Sequence, residues 1–115
     1  MGQLTTHVLD TMQGRPAAGM AVALWRIGEP APLRELVLDA DGRADGPLLA
    51  GAALTVGRYR LVFAVADYFR AQGVVLPDPP FLGEVVLDFG VADAQAHYHV
   101  PLLASPWAYS TYRGS

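Results

Sequence analysis

The chain of 115 residues contains no cysteine, and its eight basic residues are all arginine, so lysine is absent as well. Without cysteine there are no disulfides, no thiol nucleophile and no cysteine-based metal site. Without lysine, Schiff-base chemistry and covalent attachment of pyridoxal phosphate are excluded. Nucleophilic or acid–base chemistry must therefore fall to histidine, aspartate, glutamate, serine, threonine, tyrosine or water.

Excess positive charge and long apolar runs are also missing. The net charge is −3, so the chain has no basic field and no nucleic-acid partner is expected. No apolar run is long enough to span a bilayer, so no membrane partner is expected either. Residues 1–4 have neither the basic region nor the apolar core of an export signal, which predicts a cytoplasmic protein.

The composition that remains is rich in apolar residues. Hydrophobic residues make up 52% of the chain and charged residues only 17%. The length predicts one domain over residues 1–115 with a small core. A folded monomer would still expose much apolar surface, so the composition favours an oligomer.

Short alternating runs, separated by turns rich in glycine, proline and aspartate, dominate the chain. They predict one short helix at 67–72, with Asp67 as its N-cap and Gly73 after its end. This pattern is typical of an antiparallel β-sandwich of seven to eight strands. The predicted strands are 4–10, 20–27, 33–38, 58–65, 82–89, 97–103 and 108–112. In the first strand, alternation places Leu4, Thr6 and Val8 on one face.

All three histidines lie in predicted strands. His97 and His99 are two residues apart, so their side chains leave the same face, and His7 lies in the first strand. Three interpretations compete. The histidines could form a three-histidine zinc site with an open position. They could serve metal-free hydrolysis as general base and orienting group, with Arg43 or Arg113 holding an anionic or carbonyl oxygen. They could merely satisfy buried polar groups.

Segment 96–115 concentrates chemistry at the chain end. It holds two of the three histidines, three of the five tyrosines and one of the two tryptophans. A terminus is usually the first place to lose order, so this content predicts a docked end. Considered alone, Arg43 is typical of a solvated turn, Arg113 of a mobile end and Tyr112 of a rim aromatic. Ser115 lacks the Gly-x-Ser-x-Gly context of an elbow nucleophile.

Seven segments occur in a characteristic order: LTTHVLD at 4–10, GRPA at 14–17, DGR at 41–43, YRLVF at 59–63, DYF at 67–69, HYHVPLL at 97–103 and YSTYRGS at 109–115. In this combination the chain resembles, essentially end to end, the 5-hydroxyisourate hydrolases, also called transthyretin-related proteins. The terminal Tyr-Arg-Gly-Ser is the hallmark of the hydrolase branch of that family.

The resemblance implies an all-β, transthyretin-like sandwich and a homotetramer. In this dimer of dimers, subunits pair edge to edge and then face to face around a central channel that holds the active sites. It implies hydrolysis of 5-hydroxyisourate to 2-oxo-4-hydroxy-4-carboxy-5-ureidoimidazoline, the second step of urate breakdown in purine catabolism. It also implies that no cofactor and no metal are required.

The family's working residues map onto two groups in this chain. The implied catalytic residues are His7, Arg43, His99, Tyr112 and Ser115. The implied substrate-binding residues are His7, Arg43, Tyr112, His97 and Arg113. Either His7 or His99 could be the general base, and the sequence leaves that choice open.

Two alternatives remain beside the hydrolase interpretation. Transthyretin, a hormone carrier with the same fold, lacks the first-strand histidine, the Asp-Gly-Arg arginine, the His-x-His and the Tyr-Arg-Gly-Ser ending. This chain has all four, so the enzyme is favoured over a small-ligand carrier. A histidine-based zinc metallohydrolase is the second alternative.

Overall fold

The computed structural model describes residues 1–114, which form two β-sheets with the apolar core between them. The strands are β1 (Gln3–Asp10), β2 (Arg15–Pro16), β3 (Ala21–Arg26), β4 (Arg34–Val37), β5 (Leu49–Ala50), β6 (Gly57–Phe63), β7 (Val85–Val91), β8 (His97–Ala104) and β9 (Tyr109–Thr111). A 3₁₀ turn at Gly51–Ala53 follows β5, and helix α1 (Val65–Ala71) follows β6. The transthyretin-like sandwich predicted from the sequence is confirmed.

The first sheet carries the strands that matter for the histidines. Its order is β2-β1-β8-β9, and β5 also pairs with β1, at the opposite end from β2. The second sheet has the order β4-β3-β6-β7. All described pairs are antiparallel except β1 with β8, which run parallel. The antiparallel sandwich predicted from the sequence therefore contains one parallel pair among the described strands. All strands of the second sheet lie between β1 and β8 in the sequence. No single turn therefore joins β1 to β8, and no turn signal indicates whether they run parallel or antiparallel.

The alternation predicted for β1 is confirmed. Leu4 and Val8 are 0% exposed and Thr6 is 2% exposed, so this face of the strand lies in the core. Thr6 satisfies its buried hydroxyl by donating to the carbonyl of Val100 at 2.8 Å, which fastens β1 to β8. The opposite face of β1, with Thr5 and His7, stays partly open to solvent.

Helix α1 begins at Val65, two residues before the predicted start. Asp67 lies in its first turn, and the N-cap position is Ala64, which makes no side-chain capping bond, so the predicted Asp67 cap is wrong. Burial of Val65, Ala66, Tyr68 and Phe69 stabilises the helix instead of a cap. Gly73 follows the helix with φ +84°, as predicted.

A buried carboxylate ties α1 to the end of β1. Asp10 accepts hydrogen bonds from the backbone N–H and the Nε2 of Gln13 at 2.9 and 2.7 Å and from the hydroxyl of Tyr68 at 2.8 Å. Burial, and then the bond to Asp10, raises the pKa of Tyr68 to about 12. The strand that carries Thr5 and His7 is thereby held at its far end.

Residues 1–114 contain nine strands, two more than the seven segments predicted from the sequence. The additional ones, β2 and β5, contain two residues each and both pair with β1. Two residues are too few to show an alternation, so such strands have no periodic signal. Among residues 1–114, no helix has the length and apolar character needed to cross a membrane.

Candidate active site

The parallel pairing of β1 with β8 brings the three histidines to one face of the first sheet. Gln3 is paired with His97 and Thr5 with His99, and His7 lies two residues further along β1. Paired residues on neighbouring strands point to the same side of a sheet, and so do residues two apart on one strand. His7, His97 and His99 therefore share the outward face of the sheet.

Thr5 joins two of these histidines through one hydroxyl group. Its Oγ1 lies 2.9 Å from His97 Nε2 and 2.8 Å from His99 Nδ1. The two rings are 6.4 Å apart between centroids. Within residues 1–114, the other nitrogen of His99, Nε2, has no hydrogen-bond partner, so it is the one that can take a proton from a bound molecule.

Arg43 reaches this face from the turn that runs beside β1. It forms an isolated antiparallel bridge with His7, and Asp39 holds its backbone on both sides: Asp39 N–H donates to the Arg43 carbonyl, and Arg43 N–H donates to the Asp39 carboxylate. Gly42 has φ +73°, and a Cβ there would lie 2.5 Å from the carbonyl oxygen of Val8. Only glycine fits this approach, and it places Arg43 at the strand edge.

The chain end docks on β8. The N–H of Gly114 donates to the carbonyl of His99 at 2.7 Å, and a Cβ at Gly114 would lie 2.7 Å from Cδ2 of the His99 ring. Arg113 donates to the carbonyl of His97 at 3.2 Å, and its guanidinium carbon lies 4.3 Å from the centroid of the Tyr98 ring. The docked end predicted from composition is thus present up to Gly114.

The structure groups the predicted site residues unevenly. His7, Arg43, His97 and His99 come together, whereas Ser115 lies outside the described residues. Tyr112 is 62% exposed and lines, with Arg113 and residues 86–90 of β7, a cavity of 430 Å³ between the edges of the two sheets. That cavity does not include the histidines, so substrate contact by Tyr112 and Arg113 stays a prediction.

The surroundings of His99 favour its neutral form. Burial lowers the pKa of His99, and the positive charges of Arg43, His7 and His97 lower it further. Burial disfavours the imidazolium because it removes water from the charge, and like charges nearby disfavour it by repulsion. His99 therefore keeps an unprotonated nitrogen below the pH at which an ordinary histidine becomes charged.

Replacing Arg43 by glutamine should raise the pKa of His99 toward its ordinary value of about 6.5, because one repelling charge is removed. NMR titration of the His99 ring measures the shift. A base must be unprotonated to act. The acid limb of any activity that depends on neutral His99 should therefore shift to higher pH in this variant.

Arg70→Gln is the matched control for Arg43→Gln. Arg70 lies on α1, where its nearest carboxylate partner is Asp67 at 3.7 Å, so the same charge is removed away from the histidines. An equal shift of the His99 pKa in both variants would show that net charge, rather than the position of Arg43, sets it.

No group of three or more histidine, aspartate or glutamate side chains within residues 1–114 is arranged to hold a metal ion. In particular, Nε2 of His97 and Nδ1 of His99 both face the hydroxyl of Thr5. The point on which these two nitrogens converge is occupied by Thr5 Oγ1, so it is not open to a metal ion. The described part of the chain thus gives the three-histidine zinc site no geometric support.

Sequence reasoning missed Thr5 and Gly114. The sequence pattern predicts only a strand position for Thr5, because its contact with His97 and His99 depends on the parallel register. The usable signal was the alternation in β1, which places Thr5 and His7 on the same face. The sequence predicts that Gly114 belongs to a docked chain end, and only the structure shows that its lack of a side chain makes room for the His99 ring.

The two-sheet fold and the face that carries the three histidines can be compared with known protein families. The model of the HIUase/Transthyretin family matches residues 4–114, and the chain belongs to that family.

Within this family, the chain is similar to proteins and solved structures that have individual names. The chain is 59% identical, over the full length of both proteins, to a protein of Ralstonia nicotianae named 5-hydroxyisourate hydrolase. A solved Klebsiella pneumoniae 5-hydroxyisourate hydrolase is 36% identical, with a TM-score of 0.84 and complete coverage of both chains. A solved (S)-allantoin synthase is 45% identical with a TM-score of 0.94; the match covers 99% of this chain but 44% of that one.

Proposed function

We propose that this chain hydrolyses 5-hydroxyisourate to 2-oxo-4-hydroxy-4-carboxy-5-ureidoimidazoline, as a cofactor-free enzyme of urate breakdown. The observation that carries the proposal is the gathering of His7, His97 and His99 on one sheet face with Arg43 at its edge. Support comes from the full-length similarity to proteins that bear this activity in their names.

The reaction needs a base that activates water. Water would attack the ring carbonyl C6, the C6–N1 bond would break, the leaving nitrogen would take a proton, and the new acid would ionise to a carboxylate. We propose His99 Nε2 as the base, because the pKa of His99 is lowered and Nε2 has no partner within residues 1–114. Such proton transfer contributes about 10²–10⁴-fold. His7 is the alternative base.

Arg43 would bind the planar urea-like edge of the substrate and stabilise the oxyanion. A guanidinium presents its donors in a fixed fork that suits such an edge. The backbone of Arg43 is fixed by Asp39, while its side chain is exposed and pairs with no carboxylate among residues 1–114. This combination leaves the donors of Arg43 available to a ligand.

The chain end would complete the pocket. We propose that Tyr112 and Ser115 take part in catalysis and that Tyr112, Arg113 and His97 contact substrate, as the family resemblance implies. The docking of Gly114 beside His99 supports a site that includes this segment.

The active form would be a homotetramer of single-domain subunits in the cytoplasm. Strands β7 and β9 are the outermost strands at the same side of the two sheets, where a second copy could add strands edge to edge. Exposed apolar side chains lie in or beside these edges, among them Val86 at 47% and Trp107 at 59%. These features support an assembly that covers them.

The test is a spectroscopic assay of freshly generated 5-hydroxyisourate. The substrate should decay faster in proportion to added protein, relative to a sample without protein and to one with an equal mass of an unrelated protein. A decay rate independent of added protein would refute the proposal. Saturable binding without turnover would favour a small-ligand carrier instead.

The same assay after exhaustive chelation addresses the zinc alternative. We expect unchanged turnover, because the proposed base and oxyanion donor are side chains of the protein. Loss of activity that added zinc restores would replace the cofactor-free mechanism with a metallohydrolase.

A further inference from the structure

Thr5 stands between two histidines with a single proton to share. Its hydroxyl can donate once and can also accept, whereas each neutral imidazole has one donor and one acceptor nitrogen. The nitrogens that face Oγ1, His97 Nε2 and His99 Nδ1, can therefore not both accept from it. Every hydrogen bond is used only when one of these nitrogens donates to Oγ1 and the other accepts from it.

This restriction makes the tautomers of the two rings complementary. If His99 carries its proton on Nδ1, it donates to Thr5, and Thr5 donates to Nε2 of His97. If His97 carries its proton on Nε2, it donates a hydrogen bond to Thr5, and Thr5 donates to Nδ1 of His99. A third arrangement, with both rings donating, leaves the hydroxyl proton without an acceptor among residues 1–114.

The first arrangement leaves His99 Nε2 unprotonated on a neutral ring with every hydrogen bond used. The third also leaves Nε2 unprotonated but gives the hydroxyl proton no acceptor among residues 1–114, and the second places the His99 proton on Nε2. We propose that Thr5 is a positioning residue that holds His99 as the Nδ1–H tautomer, with Nε2 as free base, and that protonation of His97 reverses this arrangement through Thr5. The inference rests on the proposed function, in which His99 Nε2 takes a proton from water. In this proposal the protonation state of His97 controls whether His99 Nε2 can act as a base, a role distinct from substrate contact.

The solvent exposure of the rings suits this division of roles. His97 is exposed and exchanges protons with water, whereas His99 is half-buried. The other charged or titratable groups at the pair are His7 on β1, Arg43 on the adjoining turn and Arg113 on the chain end. No carboxylate among residues 1–114 forms an ion pair with any of the three histidines. Thr5 is therefore the only described side chain that sets a tautomer of His99.

Protonation of His97 places a proton on both of its nitrogens. Its Nε2–H then donates to Thr5, the hydroxyl turns to donate to His99 Nδ1, and the proton of neutral His99 moves to Nε2 by exchange with water. No proton is created or lost at His99 in this rearrangement, but Nε2 no longer accepts. The acid limb of the pH–rate profile should therefore depend on the connection that Thr5 makes between the two rings.

Thr5→Val tests the inference, with Thr5→Ser as the matched variant that keeps the hydroxyl. Nitrogen-15 NMR of the histidine rings reads the tautomers directly and needs no substrate. In the parent protein at a pH where both rings are neutral, His99 should carry its proton on Nδ1. Valine should lower the ratio of the Nδ1–H to the Nε2–H tautomer of His99 about tenfold, as expected for one lost hydrogen bond, and serine should restore it.

Kinetics supply the second readout. Thr5→Val should move the acid limb to lower pH, since His99 then titrates independently of His97. His97→Phe breaks the same connection but also removes a charge that lowers the pKa of His99, so its own shift combines two opposed effects. The decisive comparison is the double variant: in the His97→Phe background, Thr5→Val should cause no further shift, because the connection is already broken. Circular dichroism checks that each variant is folded.

The outcomes separate this inference from the proposed function. His99 protonated on Nε2 in the parent protein, or a tautomer and acid limb unchanged by Thr5→Val in an active enzyme, would overturn the role of Thr5. The expected tautomers in a protein that leaves 5-hydroxyisourate untouched would support Thr5 as the determinant of the tautomer and reject the proposed function.

Discussion

Replacement of His99 by asparagine should lower kcat for 5-hydroxyisourate by about 10²–10⁴-fold, while the protein stays folded. Asparagine can still offer a polar atom to Thr5 in place of Nδ1, whose distance to Oγ1 is 2.8 Å. It has no group that reproduces Nε2 as a base. Steady-state kinetics with circular dichroism and a thermal melt measure the two effects separately.

Gln95→Ala is the control for His99→Asn. Gln95 lies in the exposed turn that leads into β8. Its backbone N–H donates to the Asp93 carboxylate at 2.9 Å, and its side chain has no hydrogen-bond partner among residues 1–114. Its replacement should leave kcat unchanged. A His99→Asn protein with full activity would remove His99 from the chemistry and make His7 the general base.

The sequence predicted those features of the site that depend on local periodicity. The alternation of Leu4, Thr6 and Val8 identified the buried face of β1, and the spacing of His97 and His99 placed both rings on one side of β8. These predictions hold because side-chain direction in a strand follows from its two-residue repeat whatever the partner strand is.

Features that depend on pairing between distant segments could not be predicted in this way. The parallel register of β1 and β8 joins residues more than ninety positions apart, and it alone places Thr5 beside His97 and His99. The helix start was missed for a related reason. Burial of Val65 and Ala66 against the core decides it, and this outweighs the capping preference of Asp67.

The docking of Arg113 also depends on tertiary contacts. Its sequence position is typical of a mobile end, yet its guanidinium lies over the Tyr98 ring and donates to the carbonyl of His97. A cation over an aromatic face contributes about 0.5–1 kcal/mol at an exposed site. The chain end is therefore held by several weak contacts, and its loss should affect stability far less than activity.

Deletion of residues 112–115 should lower activity by more than about 10²-fold and leave a folded protein. Strand β9 (Tyr109–Thr111) keeps its pairing with β8, so the sheet survives. The deletion removes the N–H of Gly114 from the His99 carbonyl and Arg113 from the His97 carbonyl. We expect a stability loss of about 1–2 kcal/mol, measured by thermal or urea unfolding beside the substrate assay.

Gly114→Ala tests the same contact with one methyl group. The added Cβ would lie 2.7 Å from Cδ2 of His99, so the ring must move away from its position beside Thr5. Gly83→Ala is the matched control, because a Cβ there meets nothing within 4 Å and its backbone is not in the left-handed region. We expect about a tenfold loss of kcat at Gly114 and none at Gly83, since a base displaced by a few tenths of an ångström is poorly aligned. Full activity in the truncated protein and in Gly114→Ala would show that the chain end only packs against β8 and that the pocket functions without it.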